Sequence, residues 1–250
     1  MPASLPSVRA GHADIREREA QQALAGALSK PELIHYNRTP KTPWGLAPPA
    51  MPSNTDLNAA YLPLIRRIEE EATIIGDQIL KIGHFLNHRI EPAFILELGR
   101  ELARRLSRFH PTLVLTAEAS GIAPGLVVAQ TLNVPMLYAK KYAPEVESPF
   151  LQRIIPSPTK GGETKLVVSQ RYLTPGTRVV LVDDFLSNGR TAVALIEMAR
   201  EAGAEVLGAG FIVEKRFKQG HEAIEALEVP IATLAQVRRL ENGRAILNTT

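Results

Sequence analysis

Two adjacent carboxylates follow an apolar run in the segment RVVLVDDFLSNGRTA, residues 178–192. Residues 179–182 have the continuous apolar character of a buried parallel strand, and Asp183 and Asp184 come directly after them. Two ionised carboxylates repel each other, and burial raises their pKa unless cations or hydrogen-bond donors surround them. The pair therefore suits a ligand that brings hydroxyl groups and a positive charge, such as a sugar ring that becomes cationic during a reaction.

A short loop of small and polar residues separates the carboxylates from a helical pattern. Free backbone N–H groups and the positive end of the helix dipole meet at a helix N-terminus and bind anions. The sequence has neither a GxxxxGK(S/T) nor a GxGxxG motif, so the loop suits one phosphate better than a polyphosphate or a dinucleotide. Ordinary acidic capping of the helix is the alternative. The loop consists of Ser187, Asn188, Gly189, Arg190 and Thr191.

The composition limits the class of protein. A chain of 250 residues suits one α/β domain with an appendage. The absence of cysteine excludes disulfides, thiol catalysis and thiolate metal sites, and it suits a cytoplasmic protein. The apolar runs are much shorter than the ~20 residues of a membrane helix. The formal net charge of +3 is too small to indicate nucleic-acid binding.

Alternating strand and helix patterns extend from residue 56 to the end of the chain. Such alternation predicts an α/β fold with a twisted, mainly parallel sheet flanked by helices. Ligands of such sheets bind at the carboxyl ends of the strands, which points to the loops after residues 117, 139, 182 and 213. The mixed pattern of residues 75–92 predicts short strands and a loop, and the polar composition of residues 142–164 predicts a loop. The patterns predict helices over 61–72, 92–109, 124–133, 191–203 and 222–227, and strands over 112–117, 134–141, 165–173, 178–183 and 204–215. Short strands are predicted to finish the chain.

The first 55 residues differ in composition from the rest. A helix is possible over 14–28, but the prolines of 39–53 prevent a packed strand or helix. We expect residues 1–55 to be an extension that is disordered or wraps the surface, ahead of a domain over 56–250. The alternative is that Met51 is the true start.

Four segments together resemble type I phosphoribosyltransferases, and their order and spacing are similar to the xanthine branch of that family. The resemblance covers about residues 60–243 and implies the type I phosphoribosyltransferase fold, with a small hood (residues 75–92 plus a C-terminal segment) over a base site. It implies an enzyme that joins a purine base to the ribose of phosphoribosyl pyrophosphate and releases pyrophosphate. The segments are RVVLVDDFLSNGRTA, DQILKIGHFLNHRIEP (77–92), EASGIAPG (118–125) and FIVEKRF (211–217).

The resemblance also implies how the sugar pyrophosphate is held. Asp183 and Asp184 would face the ribose hydroxyls, and loop 187–191 would hold the 5′-phosphate. The small residues of loop 118–121 would bring backbone amides to the pyrophosphate, around a cis peptide that the family often has there. Mg²⁺ would be bound mainly through the pyrophosphate, so no protein ligand is assigned to it. The residues expected at the pyrophosphate are Ala119, Ser120, Gly121, Lys140 and Lys141.

Three residues match the base site of the family. Leu80 would pack on the purine face, and Asn87 would offer a donor and an acceptor to the oxygen at position 2. The Lys215 ammonium only donates hydrogen bonds, so it suits a 6-oxopurine and opposes the 6-amino group of adenine. Each residue also has a structural alternative: a core position for Leu80, a turn for Asn87 and a surface lysine for Lys215.

Two other functions stay open. A hypoxanthine/guanine phosphoribosyltransferase would share the preference for a 6-oxopurine. A non-catalytic regulator would sense phosphoribosyl pyrophosphate and bind DNA through an N-terminal domain, but residues 1–55 are short for such a domain and show no basic recognition helix. The resemblance favours a homodimeric enzyme of purine salvage, with xanthine and phosphoribosyl pyrophosphate as substrates and no membrane or nucleic-acid partner.

Overall fold

The computed structural model describes residues 56–141, 149–156 and 162–249. The chain divides into two units, Met1–Leu46 and Ala47–Thr250, and all described residues belong to the second. The extension expected over residues 1–55, including its possible helix, lies outside the described residues. None of the helices in the described part of the chain is long and apolar enough to cross a membrane.

The described elements follow the predicted alternation of strands and helices. The helices are α1 (Leu62–Glu71), α2 (Pro92–Leu106), α3 (Ile122–Leu132), α4 (Arg190–Glu201) and α5 (Gly220–Glu225), with a short 3₁₀ turn at Ser107–Phe109. The strands are β1 (Thr73–Ile75), β2 (Ile79–Lys81), β3 (Leu113–Ala117), β4 (Met136–Ala139), β5 (Phe150–Pro156), β6 (Glu163–Ser169), β7 (Arg178–Leu186), β8 (Glu205–Lys215), β9 (Ile231–Glu241) and β10 (Arg244–Leu247).

A six-stranded sheet forms the centre of the fold. Its order is β10-β9-β8-β7-β3-β4, and all neighbours are parallel except the antiparallel pair of β9 and β10. Apolar clusters lie on both faces: Val180 packs in the cluster that contains Leu102 of α2, and Val179 in the cluster that contains Leu195 of α4. The predicted mainly parallel sheet with flanking helices is therefore confirmed.

The hood begins with a small hairpin, in which β1 and β2 pair antiparallel. The Arg67 guanidinium of α1 lies 4.6 Å from the ring centroid of Phe85 and 4.7 Å from that of Phe94. It also pairs with Glu91 at 2.7 Å. Cation–π contacts and a shared carboxylate thus fasten the hood to the helix that precedes it.

The prediction that residues 142–164 form one polar loop is wrong over 150–156. These residues form β5, which pairs antiparallel with β6. Leu151 and Ile155 are buried against the α4 face of the sheet, and Arg153 bonds to Glu197 and Glu201 of α4. The strand was missed because flanking prolines and only two buried side chains hide its apolar pattern.

Candidate active site

The adjacent carboxylates lie near the end of β7, which extends three residues beyond its predicted end. Because β3 and β8 run parallel to β7 on either side, their carboxyl ends meet at the same edge of the sheet. This edge brings loop 118–121 and Lys215 to Asp183 and Asp184. The parallel sheet thus places the predicted site segments side by side, as the rule for such sheets requires.

Asp184 joins three parts of the site through hydrogen bonds. It is only 5% exposed. Its Oδ2 accepts a hydrogen bond of 2.5 Å from the amide nitrogen of Asn87 in the hood. Its Oδ1 accepts from the Ser120 hydroxyl at 3.0 Å and from the backbone N–H of Phe185 at 2.9 Å. These donors surround a buried carboxylate in the way that its charge requires.

Asp183 is in a less favourable setting for a negative charge. Its Oδ1 accepts a hydrogen bond of 2.9 Å from the backbone N–H of Asp184. Burial raises the pKa of Asp183 well above its ordinary value, the negative charge of Asp184 raises it further, and the positive charge of Lys141 acts in the opposite direction. A ligand that brings hydroxyl donors or positive charge would therefore favour ionised Asp183.

Loop 118–121 closes the end of β3 against β7. The Glu118–Ala119 peptide bond is cis, as the resemblance implies. A Cβ atom at Gly121 would lie 2.1 Å from Oγ1 of Thr116 and 2.7 Å from Oδ1 of Asp183, so only glycine fits there. The Glu118 side chain accepts a hydrogen bond of 2.5 Å from the backbone N–H of Lys141, which brings Lys141 to the same edge.

Loop 187–191 is shaped by close contact with the start of α5. Gly189 has φ +74°, and a Cβ atom there would lie 2.9 Å from Cα of Gly220. The Gly220 N–H donates to the Ser187 carbonyl at 2.9 Å. Asn188 and Arg190 are exposed. Because α4 begins at Arg190, the loop leads directly into the unpaired N–H groups of its first turn.

Lys215 lies half-buried at the end of β8, with Nζ 5.2 Å from the ring centroid of Phe185. Burial lowers the pKa of Lys215, the charge of Lys218 lowers it further, and Asp184 opposes this. The Lys218 ammonium donates to the Gln78 side chain of the hood. Phe185 was not predicted as a site residue, although its place directly after the two carboxylates was a signal that could have identified it.

Two predicted site residues have structural contacts. Leu80 is buried in the apolar cluster that also contains Phe85 and Leu86 of the hood. The backbone of Lys140 exchanges hydrogen bonds with Val167 of β6 at 2.9 and 2.8 Å, which joins the end of β4 to the β5–β6 hairpin.

Glu214 is a buried carboxylate that sequence analysis did not identify. It is 0% exposed and directly precedes Lys215. It bonds to His221 Nδ1 at 2.6 Å and accepts from Gln236 at 2.9 Å and Arg216 at 3.2 Å. Because His221 follows Gly220, this carboxylate connects the Lys215 strand to the helix that packs on loop 187–191. A charged residue within the apolar run FIVEK was the available signal.

The sequence is similar to those of known proteins. Residues 90–239 match the phosphoribosyl transferase domain family, and the chain is 50% identical over 187 residues to the xanthine phosphoribosyltransferase of Chloroflexus aurantiacus, covering 75% of this chain and 89% of the relative. The chain belongs to the phosphoribosyltransferase family. This phosphoribosyltransferase is also 37% identical over 186 residues to the xanthine phosphoribosyltransferase of Oenococcus oeni, covering 74% and 90% of the two chains.

Solved structures confirm the predicted type I phosphoribosyltransferase fold. The phosphoribosyltransferase is similar to the adenine phosphoribosyltransferase of Rhodothermus marinus, with a TM-score of 0.56 and 23% identity over 70% of this chain and 99% of that one. A Trypanosoma brucei adenine phosphoribosyltransferase in complex with AMP, pyrophosphate and ribose-5-phosphate gives a TM-score of 0.57 and 19% identity over 70% and 79% of the chains. Identities this low establish the fold alone.

Proposed function

We propose that the protein transfers the 5-phosphoribosyl group of phosphoribosyl pyrophosphate to xanthine, yielding xanthosine 5′-monophosphate and pyrophosphate in purine salvage. One observation carries the proposal: Asp184 hydrogen-bonds at once to Asn87 of the hood and to Ser120 of loop 118–121. Sugar, base and pyrophosphate groups would meet around that carboxylate. The similarity to curated xanthine phosphoribosyltransferases supports xanthine as the base.

The sugar phosphate would lie along the end of β7. Asp183 and Asp184 would accept hydrogen bonds from the ribose hydroxyls, and loop 187–191 would hold the 5′-phosphate with the first N–H groups of α4. The positive φ of Gly189 supports this, because it turns the backbone into the helix without a side chain at the anion.

The pyrophosphate would lie over loop 118–121. Backbone amides of Ala119, Ser120 and Gly121 would contact its oxygens, and Lys140 and Lys141 would neutralise its charge. The hydrogen bond between the Lys141 N–H and Glu118 supports this placement, since it holds the lysine next to the loop.

Magnesium fits the donor chemistry of this edge. The carboxyl groups of Asp183 and Asp184 are oxygen donors of the kind that Mg²⁺ takes, and they lie beside the loop proposed for pyrophosphate. Bound mainly through the pyrophosphate of the substrate, the metal would supply charge neutralisation for the leaving group.

The chain's own residues would promote transfer by placing charge around the sugar. As the bond to pyrophosphate breaks, positive charge develops on the ribose ring, and the carboxylates of Asp183 and Asp184 would stabilise it. The hood would hold the base against the same carbon, so that the reacting groups are already oriented. Fastening of the hood to Asp184 by Asn87 supports this alignment.

Base selection would depend on Lys215, Asn87 and Leu80. The Lys215 ammonium would donate to the oxygen at position 6 and meet adenine donor to donor. The Asn87 amide nitrogen has two hydrogens, so one remains for the oxygen at position 2 while the other bonds to Asp184. Leu80 would back the purine face from the core of the hood.

The assembly and location expected from the sequence stay predictions. A homodimer is supported by exposed Tyr138 on edge strand β4. Together with exposed Tyr172 it lines a cavity of about 240 Å³ that also touches Lys140. A cytoplasmic location is consistent with the absence of cysteine.

A panel of free purines tests the proposed activity. Xanthine, guanine, hypoxanthine and adenine are each supplied with phosphoribosyl pyrophosphate and Mg²⁺, and pyrophosphate release and nucleotide formation are measured. We expect xanthosine 5′-monophosphate as the preferred product and no turnover of adenine. Much faster reaction of guanine or hypoxanthine would contradict the assignment of the base. Retardation of DNA without nucleotide formation would favour the regulator instead.

A further inference from the structure

Thr116 has a buried hydroxyl group without a visible purpose in the fold. It lies on β3 and is 0% exposed. Its Oγ1 is a buried side-chain oxygen that has no hydrogen-bond partner among the described residues. Such a hydroxyl loses its hydrogen bonds to water and gains none in return, which destabilises the folded chain. A valine would fill the same space without this penalty, so a threonine here calls for an explanation other than packing.

The hydroxyl of Thr116 faces the site rather than the core. A Cβ atom at Gly121 would lie 2.1 Å from Thr116 Oγ1 and 2.7 Å from Asp183 Oδ1, so the two oxygens flank one point and are no farther apart than the sum of these distances. The Thr116 methyl carbon faces Gly125 of α3, where a Cβ atom would be 3.4 Å away. The methyl and hydroxyl groups of Thr116 thus have different neighbours, and the hydroxyl is the group beside Asp183.

The Asp183 carboxylate accepts fewer hydrogen bonds from the described residues than the Asp184 carboxylate does. The hydrogen bond that the structure shows to its side chain comes from the backbone N–H of Asp184, whereas Asp184 itself accepts from Asn87, Ser120 and Phe185. A hydroxyl donor beside a carboxylate forms a short, charge-assisted hydrogen bond, which fixes the orientation of the carboxylate.

We propose that Thr116 is a positioning residue for phosphoribosyl transfer, whose hydroxyl donates a hydrogen bond to the Asp183 carboxylate when the sugar binds. A small rotation of the Asp183 side chain closes the gap between the two oxygens. The bond holds the Asp183 carboxylate oriented towards the ribose hydroxyls. The inference rests on the proposed function of Asp183 as a ribose-binding carboxylate, and Gly121 is required because any side chain there would separate the two groups.

The test compares Thr116→Val, which removes only the hydroxyl, with Thr116→Ser, which keeps it. We expect Thr116→Val to raise Tm, because an unpaired buried hydroxyl is lost, and to lower kcat/KM for phosphoribosyl pyrophosphate about tenfold. KM for xanthine should stay near that of the wild type, because the hydroxyl acts on the carboxylate proposed for ribose and not on the base site. Thr116→Ser should restore kcat/KM for phosphoribosyl pyrophosphate to near the wild-type value.

Thr233→Val is the matched control. Thr233 is equally buried on β9, but its hydroxyl donates to Asn58 at 2.9 Å. We expect this variant to lose stability and keep its kinetic constants, the reverse of Thr116→Val. If Thr116→Val does not fold, Thr116→Ala supplies a second variant without the hydroxyl, and the same loss of kcat/KM for phosphoribosyl pyrophosphate with an unchanged KM for xanthine is expected.

Asp183→Asn separates failure of this inference from failure of the proposed site. If Asp183→Asn is impaired while Thr116→Val keeps wild-type kinetics, the role of Thr116 is overturned and the ribose assignment stands. Wild-type kinetics in Asp183→Asn would overturn both. A Thr116→Val variant whose Tm falls and whose kinetics worsen equally for both substrates would show that Thr116 is structural.

Discussion

The amide nitrogen of Asn87 lies 2.5 Å from Oδ2 of Asp184, although 97 positions separate the two residues in the chain. The bond joins the hood to the carboxylate at the end of β7. Because the base would lie under the hood and the ribose at the carboxylate, one hydrogen bond couples the placement of the two substrates. This coupling explains why a hood built from short strands and turns can hold a defined position.

Asn87→Asp should break this coupling with little change in side-chain volume. A second carboxylate next to Asp184 replaces a donor with a repelling charge, so the hood is displaced from the site. A hydrogen bond to a charged group contributes about 1.5–3 kcal/mol, which corresponds to a rise in KM for xanthine of roughly 10- to 100-fold. Steady-state kinetics with each substrate varied in turn measures the change.

Asn242→Asp is the control for that variant, because Asn242 is exposed in the turn between β9 and β10. It should leave both KM values unchanged. If Asn87→Asp raised KM for neither substrate, the hydrogen bond to Asp184 would have no part in holding the base site.

Lys215→Ala should weaken base binding and spare the sugar pyrophosphate. Removal of the ammonium takes away the donor to the 6-oxo group, and we expect KM for xanthine to rise at least about tenfold while Kd for phosphoribosyl pyrophosphate stays constant. Calorimetry and kinetics together check both values. Lys165→Ala, an exposed lysine on β6, is the control. Equal losses for both ligands would contradict the assigned role.

The lowered pKa of Lys215 also predicts a pH dependence. A neutral amine replaces the ammonium as pH rises through this pKa. Because this pKa lies below that of an ordinary lysine, the affinity for the base should begin to fall at a lower pH than it would if the lysine were exposed. Lys215→Arg stays charged throughout this range. Kinetics measured from neutral to alkaline pH should show that the alkaline fall in affinity for xanthine moves to higher pH or disappears in Lys215→Arg.

Local features of the sequence explain how much of the site could be predicted. The carboxylates and loop 187–191 are contiguous, and continuous apolar runs such as 179–182 place them at the end of a buried parallel strand. Strand alternation then brings loop 118–121 and Lys215 to the same edge. The family and the fold, predicted from four motifs, are confirmed.

Contacts between distant residues could not be predicted in this way. No local pattern shows that Asn87 donates to Asp184 or that Thr116 faces Asp183, because these relations depend on how loops return across the sheet. The strand β9, predicted only as short strands, is 11 residues long. Its first half is buried on both faces and its second half is mixed, so neither the strand period nor an apolar run covers all of it.

Gly189→Ala should impair phosphate binding more than stability. The residue has φ +74°, a backbone conformation that is strained for any residue with a side chain. The new Cβ would also lie 2.9 Å from Cα of Gly220. Either the loop or the start of α5 must move, so we expect KM for phosphoribosyl pyrophosphate to rise about tenfold or more. Gly243→Ala has the same sign of φ with nothing nearby, and it should leave this KM unchanged.

Glu214→Ala should be strongly destabilising, because it removes a fully buried carboxylate and leaves its partly buried partners His221 and Gln236 without an acceptor. Breaking such a buried charged network costs about 3–5 kcal/mol, which urea unfolding would measure. Glu241→Ala, which removes the exposed partner of Arg239, should cost less than about 1 kcal/mol. A loss of similar size in both variants would show that the buried network adds no more stability than a surface ion pair.

Glu91→Gln should reduce the acid sensitivity of the fold. Hydrogen bonds from Arg67 and then Arg89 lower the pKa of Glu91 from 4.5 to about 2. A carboxylate whose pKa is lower in the folded chain stabilises the fold above its unfolded pKa, and this contribution is lost as pH falls from about 4.5 to about 2. Tm measured across this range should therefore decline less steeply in Glu91→Gln than in the wild type, from a slightly lower value at pH 7. Glu69→Gln, an exposed change on the same helix as Arg67, should keep the wild-type slope of Tm against pH. Parallel slopes for Glu91→Gln and the wild type would show that the ion pair fastening the hood does not form in solution.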